Sequence, residues 1–185
     1  MRKLFQYGGI AASAILIAFG IGSIYMGVDG RGYVRDNLAA EKIIGTEDST
    51  IPGQLVDTGS EAQAFAKVMR THTLESTGGK TYSEMGRFLT ADGKDTNDEA
   101  AAAKDEAGKP VENGLRNLWV TETALTTALN TAYFAEQVAL FATIMGVAML
   151  LAGLGFGVLT LRVLIPTTNR EGSPALGGSA AVASA

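Results

Sequence analysis

Cysteine is absent from this chain of 185 residues, and histidine occurs once, as His72. Without cysteine there are no disulfides, thiolate zinc sites, iron–sulfur clusters or cysteine nucleophiles, so the fold depends on packing alone. We expect His72 to pack or cap locally rather than act as a catalytic base. The sequence also lacks G-x-S-x-G, HExxH and phosphate-binding glycine motifs. We therefore predict no catalytic residue, no metal site and no cofactor.

Charge is missing from two long stretches of the chain. Residues 4–28 and 137–161 each form a run of 25 residues without Asp, Glu, Lys, Arg or His. A helix of about 20 residues crosses the ~30 Å hydrocarbon core of a bilayer. Each run therefore predicts a transmembrane helix, with the lipid bilayer as its partner. Because neither run contains an ionisable residue, a pump or coupled transporter is disfavoured.

The first run follows the basic residues Arg2 and Lys3, as a secretory signal does. Its apolar stretch is longer than a signal core, and no small-x-small cleavage site follows it, so we predict an uncleaved signal anchor. The dense positive cluster at the N-terminus favours the cytoplasm, whereas a long middle segment can be translocated largely regardless of its charge. We expect both termini to be cytoplasmic.

The middle segment, residues 29–136, is acidic. It carries 18 Asp and Glu against 11 Lys and Arg, whereas the two ends together carry four basic residues and one acidic residue. Nucleic-acid binding requires a clustered basic face that displaces phosphate counterions, and no such face is visible. We therefore predict no nucleic-acid partner. Because both termini are expected in the cytoplasm, we predict an extracytoplasmic location for this segment.

Small residues recur within both runs at helical spacing. They let two helix backbones approach closely, which favours association inside a membrane. The pattern predicts packing of the two spans against each other, with homo-oligomer contact as the alternative. The helix-packing residues predicted from this spacing are Ala14, Ala18 and Gly22 in the first span and Ala142, Gly146, Gly153 and Gly157 in the second.

Helical patterns dominate the middle segment. Residues 32–44 predict a short amphipathic helix that continues from the first span and ends at Gly45, and residues 46–59 predict a loop. A helix is predicted from Ser60 to about residue 76. Ser60 and Gln63 form the pattern of a capping box at its start. Its apolar stripe is predicted to consist of Ala62, Phe65, Ala66, Met69 and Thr73.

The rest of the middle segment divides into three parts. Residues 81–89 predict a second short helix, and the acidic stretch 91–113 has little to bury and is predicted to be a mobile loop. From Gly114 the pattern is helical without a breaker and enters the second span. The apolar residues expected to pack on the preceding helices are Leu115, Leu118, Trp119, Leu125, Leu129 and Tyr133.

The runs 118–132 (LWVTETALTTALNTA) and 1–13 (MRKLFQYGGIAAS) resemble a group of small uncharacterised actinobacterial membrane proteins. The resemblance covers both spans and the helix at residues 64–79, and it implies a two-span layout. Members of this group often carry a label of aromatic ring-opening dioxygenase. Ring-opening iron dioxygenases commonly hold iron with two histidines and a carboxylate, which one histidine cannot supply.

The sequence thus predicts an all-α membrane protein with two transmembrane helices and a small helical extracytoplasmic domain between them. The expected function is a non-catalytic envelope interaction or scaffold subunit that binds itself or another envelope membrane protein. A ligand sensor or passive channel component is the alternative, and an envelope enzyme is less favoured. The predicted segments are a cytoplasmic N-terminus at 1–3, a first span at 4–28, a helical domain at 29–113, a juxtamembrane helix at 114–136, a second span at 137–161 and a disordered cytoplasmic tail at 162–185.

Overall fold

A computed structural model describes residues 2–164, and the predicted tail from residue 165 onward lies outside the described residues. Three α-helices account for most of the described chain: α1 (Arg2–Ala40), α2 (Gly59–Ser76) and α3 (Gly114–Leu159). Within it, α1 and α3 are long and apolar enough to cross a membrane. Only 11% of the most apolar window of α1 and 17% of that of α3 are buried inside the protein, so neither resembles a buried core helix.

Two compact units contain these helices. Within the described residues, one consists of residues 2–21 together with residues 147–164, and the other is residues 22–146. The small hydrophobic core lies in the second unit, where Leu38 of α1, Ala62 and Ala66 of α2 and Leu129 of α3 surround Val56. Val56 has no exposed surface. Complete burial of one such side chain stabilises a fold by about 1.5–3 kcal/mol, so this cluster contributes to holding the three helices together.

The end of α1 differs from the prediction. The helix ends at Ala40 rather than near Gly45, because Lys42 adopts a left-handed conformation with φ of 53°. Gly45 serves the loop instead: its N–H donates to the Gln54 carbonyl over 2.8 Å, and a Cβ there would lie 2.9 Å from the Ile51 carbonyl carbon. Only glycine fits this close approach of two backbone segments.

The apolar stripe predicted for α2 is confirmed, but its capping box lies two residues earlier than predicted. Thr58 is the N-cap, and its hydroxyl accepts the Glu61 N–H over 3.3 Å. In return, the Glu61 carboxylate accepts the N–H groups of Asp57 and Thr58 over 3.0 and 2.9 Å. A carboxylate at this position satisfies two orphan donors at the positive end of the helix, which the Gln63 amide would do less strongly.

Residues 81–113 do not form the short helix predicted for 81–89. A single 3₁₀ turn at Tyr82–Glu84 is followed by a two-stranded antiparallel hairpin of β1 (Phe88–Leu89) and β2 (Asp95–Thr96). A Cβ on Gly86 would lie 2.7 Å from the Thr96 carbonyl, so this close approach requires glycine.

The acidic stretch beyond the hairpin folds into turns made by its own aspartates. Asp98 accepts the Ala100 N–H over 2.9 Å, and Asp105 accepts the N–H groups of Ala107 and Lys109 over 2.9 and 2.7 Å. Such side-chain bonds compete with helix formation. The mobility predicted for this stretch stays a prediction.

The start of α3 is fixed by Asn113, which is buried. Its side-chain oxygen accepts the Leu115 N–H over 3.1 Å, and its amide nitrogen donates to the Gly86 carbonyl over 3.0 Å. Of the six apolar residues predicted to pack on the preceding helices, only Trp119 and Leu129 are buried, whereas Leu115, Leu118 and Leu125 are exposed. The buried face of α3 also includes two carboxylates, Glu122 and Glu136.

The two candidate caps of α2 can be distinguished by substitution. We expect Thr58→Ala to reduce the opening free energy of the first-turn amides of α2 by about 1 kcal/mol, because the Glu61 N–H loses its acceptor. Hydrogen exchange of the full-length protein measures this. Ser60→Ala is the matched control, with an expected change near zero. If the opening free energy of these amides falls more in Ser60→Ala than in Thr58→Ala, the cap is assigned to the wrong residue.

Acid should weaken the same cap. Partial burial opposes ionisation of Glu61, but hydrogen bonds from the Asp57 and Thr58 backbones outweigh it and lower the pKa of Glu61 below its ordinary value of 4.5. The stabilisation from this carboxylate is therefore complete above pH 4.5 and is lost as the pH falls through the lowered pKa.

Candidate functional site

A close contact joins the two long helices in the unit formed by residues 2–21 and 147–164. The Ser13 hydroxyl is buried and donates to the Gly153 carbonyl over 2.7 Å. A Cβ on Gly153 would lie 3.0 Å from the Ile17 backbone nitrogen, and one on Gly157 would lie 2.9 Å from Ser13 Oγ. These two predicted packing residues therefore lie directly against α1.

The packing residues predicted for α1 do not lie against α3. Ala14, Ala18 and Gly22 are exposed, and a Cβ on Gly22 would meet nothing within 4 Å. The buried positions within residues 4–28 of α1 are instead Ser13, Gly20 and Gly27, which recur every seven residues. Ser13 precedes Ala14 by one residue and so lies about 100° from it around the helix axis. The four-residue spacing therefore identified another face of the helix.

The second unit shows the same kind of contact between α1 and α3. A Cβ on Gly27 would lie 2.6 Å from the Ala139 carbonyl oxygen and 2.9 Å from the Thr143 backbone nitrogen. Gly146 is buried and Ala142 is half-buried. Small side chains on both helices thus allow the backbones to approach within van der Waals distance at this level.

Glu136 connects all three helices. Its side chain is only 5% exposed, and its Oε1 accepts a hydrogen bond from Arg31 Nε of α1 over 2.9 Å. Its Oε2 accepts the N–H of Gly59, the first residue of α2, over 2.7 Å. A Cβ on Gly59 would lie 2.8 Å from the Tyr133 Cα, so the glycine lets the start of α2 reach this carboxylate. The negative charge also lies at the positive end of the α2 dipole.

A cavity of about 680 Å³ lies between the three helices, and we call it the three-helix cavity. This volume is within the ~300–1,000 Å³ range of small-molecule sites. Most of its wall is apolar: Val34, Leu38 and Ile43 near the end of α1, Phe65 and Met69 of α2, and Leu125, Ala128, Leu129, Ala132 and Ala135 of α3. The polar residues of its wall are Tyr33, Asn37, Glu41 and Thr131.

A smaller cavity of about 390 Å³ adjoins Arg31 and Arg35. Both guanidinium groups already face carboxylates, since Arg31 pairs with Glu136 and Arg35 donates to both oxygens of Asp57 over 3.3 Å. The positive charge at this cavity is balanced by two acids, and it therefore lacks the excess charge that binding an anion requires.

The one histidine of the chain makes a local contact. His72 lies on the exposed side of α2, where its Nε2 is 2.5 Å from Asp48 Oδ2. Between residues 2 and 164 there is no group of three or more His, Asp and Glu side chains placed to hold a metal ion. His72 thus contacts the loop before α2 as a local packing group.

No family model, curated protein or solved structure matches this chain. The resemblance to actinobacterial two-span proteins therefore stays a prediction. The three-helix cavity is the feature that sequence reasoning missed. A signal that could have indicated it is the alanine series at positions 128, 132 and 135, but the sequence does not show which residues of α1 and α2 face these alanines.

The Gly153 contact allows a direct test. We expect Gly153→Ala to reduce the free energy that holds α1 and α3 together by about 1–3 kcal/mol, because the added methyl overpacks against the Ile17 backbone. Gly155→Ala is the matched control, since a Cβ there meets nothing within 4 Å.

The measurement uses the natural absence of cysteine. Cysteines are introduced at the exposed positions Gly8 and Leu161 and labelled with dyes. Energy transfer between the dyes then reports separation of the helices as SDS is added to the detergent-solubilised protein. If Gly153→Ala and Gly155→Ala lose energy transfer at the same SDS concentration, the close approach at Gly153 is contradicted.

Proposed function

We propose that this chain is a two-pass integral membrane protein, with both termini in the cytoplasm and residues 29–136 on the far side of the membrane. The observation that supports this placement is the surface of α1 and α3. Phe19, Phe141 and Leu151 are 66, 64 and 64% exposed on helices that carry no charge over 25 residues. A water-facing helix covers its exposed face with polar residues, whereas a lipid-facing helix does not.

In this proposal, α3 leaves the folded domain and enters the membrane without interruption. The helix begins at Gly114, passes the core at Leu129 and continues through the apolar stretch that starts at Gln137. Glu136, directly before that stretch, binds the first turn of α2. A movement of α2 would therefore act on the second span through one helix and one carboxylate.

Topology is tested by cysteine labelling of an otherwise cysteine-free chain. Single cysteines replace Glu99 in the middle segment and Ser173 in the tail, and intact cells are treated with a membrane-impermeant maleimide. We expect labelling of Glu99→Cys alone, with Ser173→Cys labelled only after permeabilisation. Labelling of Ser173→Cys in intact cells would contradict the proposed orientation, and full solubility without detergent would contradict membrane insertion.

The proposed role is non-catalytic association with a second copy of this chain or with another envelope membrane protein. The supporting observation is the uncovered face of α1 at Ala14, Ala18 and Gly22, where small residues are exposed rather than packed within the chain. In a membrane, such a face permits close helix–helix contact that gains dispersion energy. Gly153 and Gly157, in contrast, already contact α1 of the same chain.

Association through this face is tested by site-specific photocrosslinking in native membranes. p-Benzoylphenylalanine replaces Ile21, which is 56% exposed beside the Ala18 face. We expect a discrete crosslinked species that is reduced severalfold by Ala18→Leu, because the larger side chain separates the backbones.

Ala12→Leu is the matched control for Ala18→Leu. Ala12 is also exposed and lies on the same helix, about 120° around its axis from Ala18. If only uncrosslinked monomer is found at every irradiation dose, the association proposal is contradicted. Equal crosslinking in the two leucine variants would assign association to another surface.

A ligand sensor is the second candidate function, and the three-helix cavity favours it. A ligand inside the cavity would contact α1, α2 and α3 together, and therefore favour the arrangement in which all three are in place. The two candidates are compatible, because association uses the exposed face of the span whereas sensing uses the cavity of the domain.

A further inference from the structure

The three-helix cavity lies at the depth of lipid headgroups if the proposed membrane placement is correct, and the inference rests on that placement. Tyr33 is five residues beyond Val28, the last residue of the first uncharged run, or about 7.5 Å along a helix. Ala135 is two residues before Gln137, or about 3 Å. The headgroup region adds roughly 5–8 Å to each side of the hydrocarbon core. The near end of the cavity is thus within reach of molecules in the outer leaflet.

We propose that the three-helix cavity binds the hydrocarbon chain of a membrane amphiphile whose headgroup is not anionic. Most of the wall is hydrocarbon from all three helices, including Leu38, Phe65 and Leu129. An apolar cavity of about 680 Å³ accommodates an alkyl chain without leaving polar groups of the protein unpaired. Ala128 and Ala132 create the space, because a larger side chain at either position would fill it.

The amphiphile keeps the orientation that it has in the outer leaflet. The near end of the cavity, at Ala135, faces the bilayer, whereas Leu125 on the same helix lies about 15 Å further from it. Glu41 also lines the cavity, eight residues beyond Tyr33 and beyond the end of α1. The hydrocarbon chain therefore points toward the bilayer and the headgroup lies beside Glu41. To enter the cavity, the ligand moves outward along the membrane normal and does not have to turn end over end.

Charge at the cavity selects the headgroup. Among the described residues, Glu41 is the only charged one that lines the cavity, and Asn37, one helical turn before it, supplies a neutral hydrogen-bonding group. A hydroxyl or ammonium group is compatible with this set, whereas a carboxylate faces the like charge of Glu41. Because Glu41 is exposed, we expect the discrimination to be modest, about two- to fivefold, as for other solvent-screened charge pairs.

The experiment uses the full chain in phosphatidylcholine nanodiscs and three diazirine-bearing C12 probes: dodecanol, dodecyltrimethylammonium and dodecanoate. Photolabelled residues are mapped by fragment mass spectrometry. We expect labelling of the cavity wall at residues 125–135 that saturates and is competed by unlabelled dodecanol. Dodecanoate should label the wall two- to fivefold less than dodecanol, and Glu41→Gln should remove that difference.

Cavity-filling variants test the site itself. Ala132→Leu and Ala128→Leu should each abolish saturable labelling, and Ala128→Leu perturbs folding least because Ala128 is exposed at the cavity rim. Ala124→Leu is the matched control, since Ala124 is exposed on the same helix but does not line the cavity. Saturable labelling that survives both filling variants would overturn the proposal.

Labelling of the spans separates this inference from the proposed function. Membrane-embedded helices should take up all three probes along residues 147–161 without saturation. Span labelling with an unlabelled cavity would overturn the lipid-chain site and leave the membrane placement intact. Saturable cavity labelling with unlabelled spans would instead contradict the membrane placement, and with it the bilayer as the source of the ligand.

Discussion

The arrangement of the three helices depends on one buried carboxylate, Glu136. Withdrawing a charge from water costs several kcal/mol unless partners restore its hydrogen bonds. Glu136 has one partner from each of the other helices, the Arg31 guanidinium and the Gly59 N–H. Because a buried N–H without an acceptor costs about 1–3 kcal/mol, displacement of any helix leaves a buried polar group unpaired. Hydrophobic contacts around Val56 supply attraction, but the carboxylate determines which arrangement satisfies every polar group.

Glycine and alanine have two different uses along the same pair of helices. At Gly27, Gly153 and Gly157, the missing side chain brings two backbones together. At Ala128, Ala132 and Ala135, the small side chain leaves a space, because the facing surface belongs to the loop end of α1 and to α2, which do not close over it. A small residue thus produces contact where the partner is a helix running alongside, and a cavity where the partner diverges. Composition alone does not distinguish these cases.

Much of the helical layout was predictable because it follows from periodicity. The long apolar runs predicted α1 and α3, and the three-and-four spacing of Ala62, Ala66 and Thr73 identified the buried face of α2. The errors arose where a competing local interaction decided the structure. Pairing of β1 with β2 replaced the helix predicted for residues 81–89, and Glu61 moved the cap from Ser60 to Thr58. The cavity and the Glu136 bonds join residues up to 105 positions apart, and spacing within one element carries no information about such pairs.

The position of Glu136 also determines what a ligand in the three-helix cavity can do. A ligand shifts a conformational equilibrium only by the difference in its affinity for the two states. The walls of the cavity come from α1, α2 and α3, so a bound ligand loses contacts if α2 moves away. The ligand therefore favours the same arrangement of helices as the hydrogen bonds of Glu136 to Arg31 and Gly59. Since Ala135 lines the cavity and is adjacent to Glu136, occupancy and the carboxylate act on the same turn of α3. That turn directly precedes the apolar stretch, which is where a signal from the domain would have to enter the membrane.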